Sequence, residues 1–402
     1  TAAGTTVTLS SVSDAFSNID ALQGTADVVM TGATITATSA EAVTKANATK
    51  LDGFTNKVVT VASVKDTRSN VTDIAGLAGV DMSNAVATID DAVTLAQVNT
   101  DVGNLNSLTD GKITLTAVAD TRSNITTLAA INDAQVDMGA ATATITDAVT
   151  LAQVQTDVGN LNSLTTGKIT LNEVADTYAN VQEIKKILDA QVDMGAANVS
   201  VTSQTNITEI NDLRTNDTTG NITINDVSES RANLATIKGY GDVSLAAANI
   251  SVTDVVTKDQ ADVIHGYNTA AGTTVTLSSV SDAFSNVATL QGTAGVVMGG
   301  ATITTTTAEA VTKANVTDLN NFTTAKVTVT SVQDSRSNVA DIAAINNAEV
   351  DMGAAAVTIT DAVTLAQANT DVGNLNSLTT GKVTLNKVED GRANVTTLAA
   401  IN

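Results

Sequence analysis

The sequence predicts an α/β fold, a parallel strand-helix solenoid of tandem units of about 54 residues. Three observations carry this prediction. The ten residues Thr1 to Ser10 return letter for letter at Thr269 to Ser278, an offset of 268. Within that superperiod an acid followed four places later by Asn recurs once per unit, at Asp14/Asn18, Asp66/Asn70, Asp120/Asn124, Asp176/Asn180, Glu229/Asn233, Asp282/Asn286, Asp334/Asn338 and Asp390/Asn394. Each unit also holds two halves, and each half reads as an alternating strand followed by a helical stretch. Strands separated by helices pair in parallel through right-handed crossovers, and halves this alike stack on their neighbours instead of closing into a globule. An all-β parallel β-helix is the alternative, because Thr-rich amphipathic stretches also suit strands.

The array is read as one continuous domain over 1–402, with units near 1–56, 57–111, 112–167, 168–220, 221–272, 273–325 and 326–381 and a partial unit at 382–402. In the short half, Lys112-Ile113-Thr114-Leu115-Thr116 alternates with period two and is rich in β-branched residues. Val118, Ile125, Leu128 and Ile131 then share one helical face, and Asp120 is expected as an N-cap or first-turn acid. The long half opens with Gln135-Val136-Asp137-Met138, turns at Gly139 and runs through Thr142-Ala143-Thr144-Ile145-Thr146. Asp147 is expected to cap the helix that follows, whose apolar face is Leu151, Val154, Val158 and Leu161, and Gly167 to end it.

Composition narrows the chemistry. The chain of 402 residues has a formal charge of −22, one His, and no Cys, Pro or Trp. Without Cys there is no disulfide, thiolate nucleophile or Cys–Zn site, and one His rules out a multi-His metal centre. The acidic balance argues against nucleic acid as a partner, which would need a basic patch. No run approaches the roughly 18 apolar residues of a membrane-spanning helix, so no membrane insertion is expected. With aromatics at 2%, the core must be built from Val, Ile, Leu and Ala. Zero Pro keeps every backbone donor available to an extended ladder.

Four columns of the repeat stand out. Met30, Met82, Met138, Met194, Met298 and Met352 share one register, with Leu245 in the remaining unit, and read as a core ladder. Asn18, Asn70, Asn124, Asn180, Asn233, Asn286, Asn338 and Asn394 read as a second structural ladder, a stacked Asn satisfying backbone groups at the turn between coils. Asn70, Asn124 and Asn394 lie in Asn-x-Thr sequons, but a glycan does not fit a buried ladder, so Asn47, Asn206, Asn216 and Asn249 are the better acceptors. Phe16, Arg68, Arg122, Tyr178, Arg231, Phe284, Arg336 and Arg392 form a third column, either a solvated row or a lateral contact row. The acids Asp91, Asp147, Asp254 and Asp361, with Glu41 and Glu309 near their register, read either as N-caps or as candidate calcium ligands.

Other motifs carry less. Gly111-Lys112, Gly167-Lys168 and Gly381-Lys382 lack the first Gly and the following Ser/Thr of a phosphate-binding loop. His265 is expected as a helix-end cation. Thr pairs such as Thr34/Thr36 suggest a flat Thr array, but the place two residues after the short-half strand Thr varies through Ser10, Ala62, Thr116 and Asn172, which a lattice match would not tolerate. Tyr240, His265 and Tyr267 are the one local group of unusual residues, the place to look for a binding face. Acids repeated nearly identically in every unit do not make the asymmetric pair a glycosidase needs, so no enzymatic activity is expected.

Stretches such as Val118-Ala-Asp-Thr121-Arg-Ser-Asn124-Ile and Ile145-Thr-Asp147-Ala-Val-Thr-Leu-Ala-Gln153 resemble the tandem repeats of giant secreted or surface-attached bacterial proteins, adhesin-like and surface-layer-like chains of cyanobacteria and marine bacteria. The resemblance covers essentially the whole chain. It implies an extracellular or cell-surface structural role, the body of a filament, sheath or surface layer, with an adhesin or ligand-binding array as the alternative. It also implies export and calcium as the one cofactor to consider, although the glycine-rich calcium nonapeptide is absent. Neither end unit looks like a polar cap, so the expected partners are other copies of the chain or a continuation of the array.

Overall fold

The computed structural model describes residues 4–99, 107, 109–131, 136–187, 191–345, 349–368 and 379–399. Its strands and helices alternate along the chain as a tandem strand-helix solenoid of the α/β class, and every strand pair defined in it is parallel. The helices exclude the all-β alternative. The chain divides into two compact units, Thr1–Ser200 with Asp217–Gly220, and Val201–Asn216 with Asn221–Asn402.

In the first unit Ser11–Asp14, Thr34–Ala37, Val59–Val61 and Val80–Asp81 form one sheet path. Ser63–Asp66, Val86–Val93, Ile113–Asp120, Thr142–Val149 and Ile169–Asp176 form another, each paired with the next. In the second unit Ile222–Glu229, Asn249–Val256, Val275–Asp282, Thr302–Thr305, Val327–Thr328 and Val350–Asp351 run in order. Ser331–Asp334, Ala356–Val363 and Val383–Val388 complete it. Coil length follows from the register: Val12 lies opposite Ile35 and Ala87 opposite Ile113, so one coil takes up the chain between such partners.

The core lies between sheet and helices, and the pleat decides who enters it. Ile113, Leu115 and Val118 point inward from one strand and Ala143, Ile145 and Val149 from the next. Ile125 and Leu128 meet them from the helix Arg122–Ile131. In the long half Val154, Val158 and Leu161 are buried, whereas Leu151 stays half-exposed. The reason is position: Leu151 opens its helix, the place that Lys45, Lys258 and Lys313 hold in other long halves and where they too are half-exposed, and the π-helical segment Val154–Val158 lies after it. Gln135 and the side chain of Ile131 lie outside the described residues. Each methionine of the column is at most 3% exposed and, like Leu245, starts a tight turn in which its carbonyl accepts the N–H of an Ala three residues on, as Met138 does from Ala141.

Four of the long strands carry a bulge at one place. Between Ile89 and Ala92, Ile145 and Ala148, Val252 and Val255, and Ile359 and Ala362, two residues face one on the next strand. The second residue of each pair is Asp91, Asp147, Asp254 or Asp361. A bulge re-aims a side chain, and here it turns these four carboxylates toward the helices.

Candidate functional site

The repeated polar residues converge on the helix N-termini. An α-helix leaves its first N–H groups without intrahelical partners, and in this array the next coil along the chain supplies an acceptor. Asp147 Oδ1 accepts the N–H of Arg122 at 2.5 Å, the first residue of the preceding helix. It does not cap its own helix, as expected from sequence; Thr150 does that, its hydroxyl accepting from Gln153 N–H while Gln153 Oε1 accepts from Thr150 N–H. Asp91, Asp254 and Asp361 reach back in the same way to Arg68, Arg231 and Arg336. Glu41 and Glu309, one methylene longer, reach one residue further in, to Ser17 and Ser285.

The acids of the Asp/Glu-x-x-x-Asn motif alternate with these. Asp120 Oδ2 accepts from Leu95 N–H of the preceding helix, while Oδ1 accepts from Thr121 N–H and from Asn124 Nδ2. Asp66 bonds Lys45, Asp176 bonds Leu151, Glu229 bonds Ile207, Asp282 bonds Lys258, Asp334 bonds Lys313 and Asp390 bonds Leu365. In the first unit the two kinds of acid thus form an unbroken relay from Glu41 to Asp176, and in the second from Glu229 to Asp390. Ser203 occupies the register of the acid in the one half that lacks it.

The Asn column has a different task from the one expected. All eight side-chain amides donate to the acid four residues earlier, at 2.7–2.9 Å, and none of the eight residues is buried. Asn does not stack on Asn or serve the backbone of a turn; it holds one carboxylate oxygen so that the other points at the neighbouring coil. Partial burial pushes Asp66, Asp120, Asp282, Asp334 and Glu229 up in pKa. The bonds from Asn and from two backbone N–H groups outweigh it, so each titrates below its ordinary range.

A second column went unread in the sequence. Thr109, Thr165, Thr218 and Thr379 are buried, and each hydroxyl donates to the carbonyl of a buried Ala at 2.5–2.7 Å while accepting the N–H of the Gly two residues on. Those glycines are required: a Cβ on Gly167 would stand 2.1 Å from the carbonyl oxygen of Ala141. Gly167 therefore does not end the helix, which closes with Thr165 as its C-cap. Thr-x-Gly recurring in register was the available signal.

The remaining candidates are dispersed. In the Arg/aromatic column each residue opens a helix, and Arg122 pairs with Asp157 while Lys50 sits 5.9 Å over the Phe16 ring, so these two face the following helix of their own chain. Tyr240 is tied to Asn211 through its hydroxyl and lies under the Arg214 guanidinium at 3.8 Å; Arg214 in turn pairs with Asp242. His265 ends its helix, its ring against Gly295, where positive φ suits Gly. Asp91, Asp147, Asp254 and Asp361 sit on separate bulges, and no group of three or more metal-ligating side chains forms among the described residues. No helix among the described residues is long and apolar enough to cross a membrane. No family model, curated protein or solved structure matches the chain.

Proposed function

We propose that this chain is the load-carrying body of an extracellular filament, sheath or surface layer, a non-catalytic array whose partners are further copies of itself stacked end to end or side by side. One observation supports the reading above the others: the side chains that repeat most faithfully, the acids with their Asn partners, are spent on bonds from each coil to the one before. Force along such an array is carried by backbone pairing and by these carboxylate bonds acting in series. The acidic charge keeps arrays apart in solution, and calcium is the cation to test against that surface. The test is negative-stain microscopy of the purified protein over a range of concentrations, with and without a chelator. Filaments or sheets of uniform width are the expected result, and dispersed single particles at every concentration overturn it. Loss of order on chelation assigns calcium a part in assembly.

A further inference from the structure

Among the described residues, Asp217 is the only charged residue in the buried set. Its side chain is fully shielded, with Oδ1 2.5 Å from Lys185 Nζ and Oδ2 accepting from Gln182 Nε2. It closes the π-helical segment Leu213–Asp217, directly before the buried Thr218 that bonds Ala197. At the same place in other halves, directly before the buried threonine, the sequence has Phe54, Leu164 or Phe322. The partners are equally singular. Two and five places after the column Asn, only the helix Tyr178–Ile187 joins Gln with Lys; the corresponding pairs elsewhere include Thr72 with Ala75 and Thr126 with Ala129.

The carboxylate of Asp217 is fully shielded while the Lys185 side chain stays 39% exposed, so the cost of burial falls on the acid, and an ion pair with a buried member is a poor source of stability. An apolar replacement of similar size does as well or better, whereas burying one charge without its partner is strongly unfavourable. That asymmetry is useless for holding one coil in place and effective against a wrong neighbour. Wrong neighbours are a real hazard here, because Asp-Ala-Val-Thr-Leu-Ala-Gln occurs at 91–97, 147–153 and 361–367. Near-identical halves invite stacking out of register, with a unit looped out or exchanged between copies.

We propose that Asp217, Lys185 and Gln182 form a register key. The segment Asp217–Gly220 seats on the helix Tyr178–Ile187 in preference to the others, since no other short-half helix offers both donors: Arg231–Lys238 keeps a cation at the second place, Lys238, but has Ala235 where Gln182 stands, and the rest have no cation at either place. The key fixes alignment at one place in the array, where the otherwise interchangeable units cannot.

The experiment is refolding from denaturant at several protein concentrations, read by size exclusion and limited proteolysis beside the equilibrium unfolding midpoint. For Asp217→Leu the midpoint is expected to stay the same or rise, while misassembled oligomers and protease-sensitive monomers increase several-fold and grow with concentration. For Lys185→Ala the midpoint falls and misassembly also rises, because the correct register has lost its advantage. A lowered midpoint for Asp217→Leu with a single refolded species makes the pair a plain stabiliser and overturns the key. An unchanged midpoint with unchanged refolding overturns it as well.

Discussion

At the scale of single residues, one carboxylate serves two coils with its two oxygens. Asp120 takes Thr121 N–H and the Asn124 amide on one and Leu95 N–H on the other, so truncating it removes a cap from a helix that belongs to the preceding coil. Asp120→Ala is expected to cost about 1–2 kcal/mol and to speed amide exchange at Leu95 before any other residue of that helix; urea titration with exchange by NMR checks both. The acids also set a pH limit. Their folded pKa values are depressed, so their stabilisation is complete above the unfolded value near ~4 and is lost as pH falls through the folded value. Protonation also relieves self-repulsion in a chain of charge −22, which works the other way but is screened at physiological salt. In that salt, thermal unfolding by circular dichroism should give a midpoint flat from neutral pH to about 5 and falling below about 4; a midpoint that climbs through that range would show repulsion to be the larger effect. The acid and Asn columns were legible as columns because identity and spacing repeat. Their partners were not, since a bond from Asp147 to Arg122 exists only once the closing of a coil has laid one half over another.

At the scale of elements, the long-half helices show how the array absorbs changes in length. From N-cap to the buried polar residue at the helix end, Thr44 to Thr55, Thr257 to Asn268 and Thr312 to Thr323 each span 11 positions, and the helices between them are unbroken α-helix. From Asn206 to Thr218 the span is 12, and the additional residue is taken up by the π-helical turn Leu213–Asp217. From Thr150 to Thr165 it is 15, again with a π-helical turn at Val154–Val158. In each case the two ends stay in register and the irregularity is taken up inside the span, in its middle at Val154–Val158 and in its last turn at Leu213–Asp217. The sequence shows helices here, but an even period does not show where the extra residue goes. What pins the far end is the buried hydroxyl. Thr165→Val takes the hydroxyl away from the buried Ala141 carbonyl and the half-buried Gly167 N–H and should cost about 1–3 kcal/mol, whereas Thr165→Ser, which keeps the hydroxyl, should lose well under half of that in the same urea titration. Equal losses in the two variants would mean that the methyl group matters more than the bonds.

At the scale of the whole molecule, the relay imposes a grammar on the array. Short and long halves each carry the acid that caps the other: the bulge acid Asp147 serves the short-half helix at Arg122, and the strand-end acid Asp176 serves the long-half helix at Leu151. A pair of halves is therefore the smallest piece that leaves every junction satisfied, and stability should behave as a sum over such pairs and their nearest neighbours. The sequence allows a clean cut, because Gly111-Lys112-Ile113 repeats as Gly167-Lys168-Ile169 at the same point of the next unit. Deleting 113–168 joins Lys112 to Ile169 with the same strand start, the same acid-to-helix partners and the same buried Thr-x-Gly turn on both sides. That variant should fold, with unchanged circular dichroism per residue, a single unfolding transition and a smaller denaturant slope in proportion to the surface removed. Deleting only 112–134, one half, sets a long half on a long half. It removes Asp120 from Leu95, leaves Asp147 without the Arg122 N–H, and offsets the bulge against a strand whose register does not match. Soluble yield and helical signal per residue should fall together in the half-unit deletion, and both should hold in the deletion of the full pair. If the two deletions behave alike, coil stacking depends on the apolar columns alone and the acid relay has no say in which halves may meet.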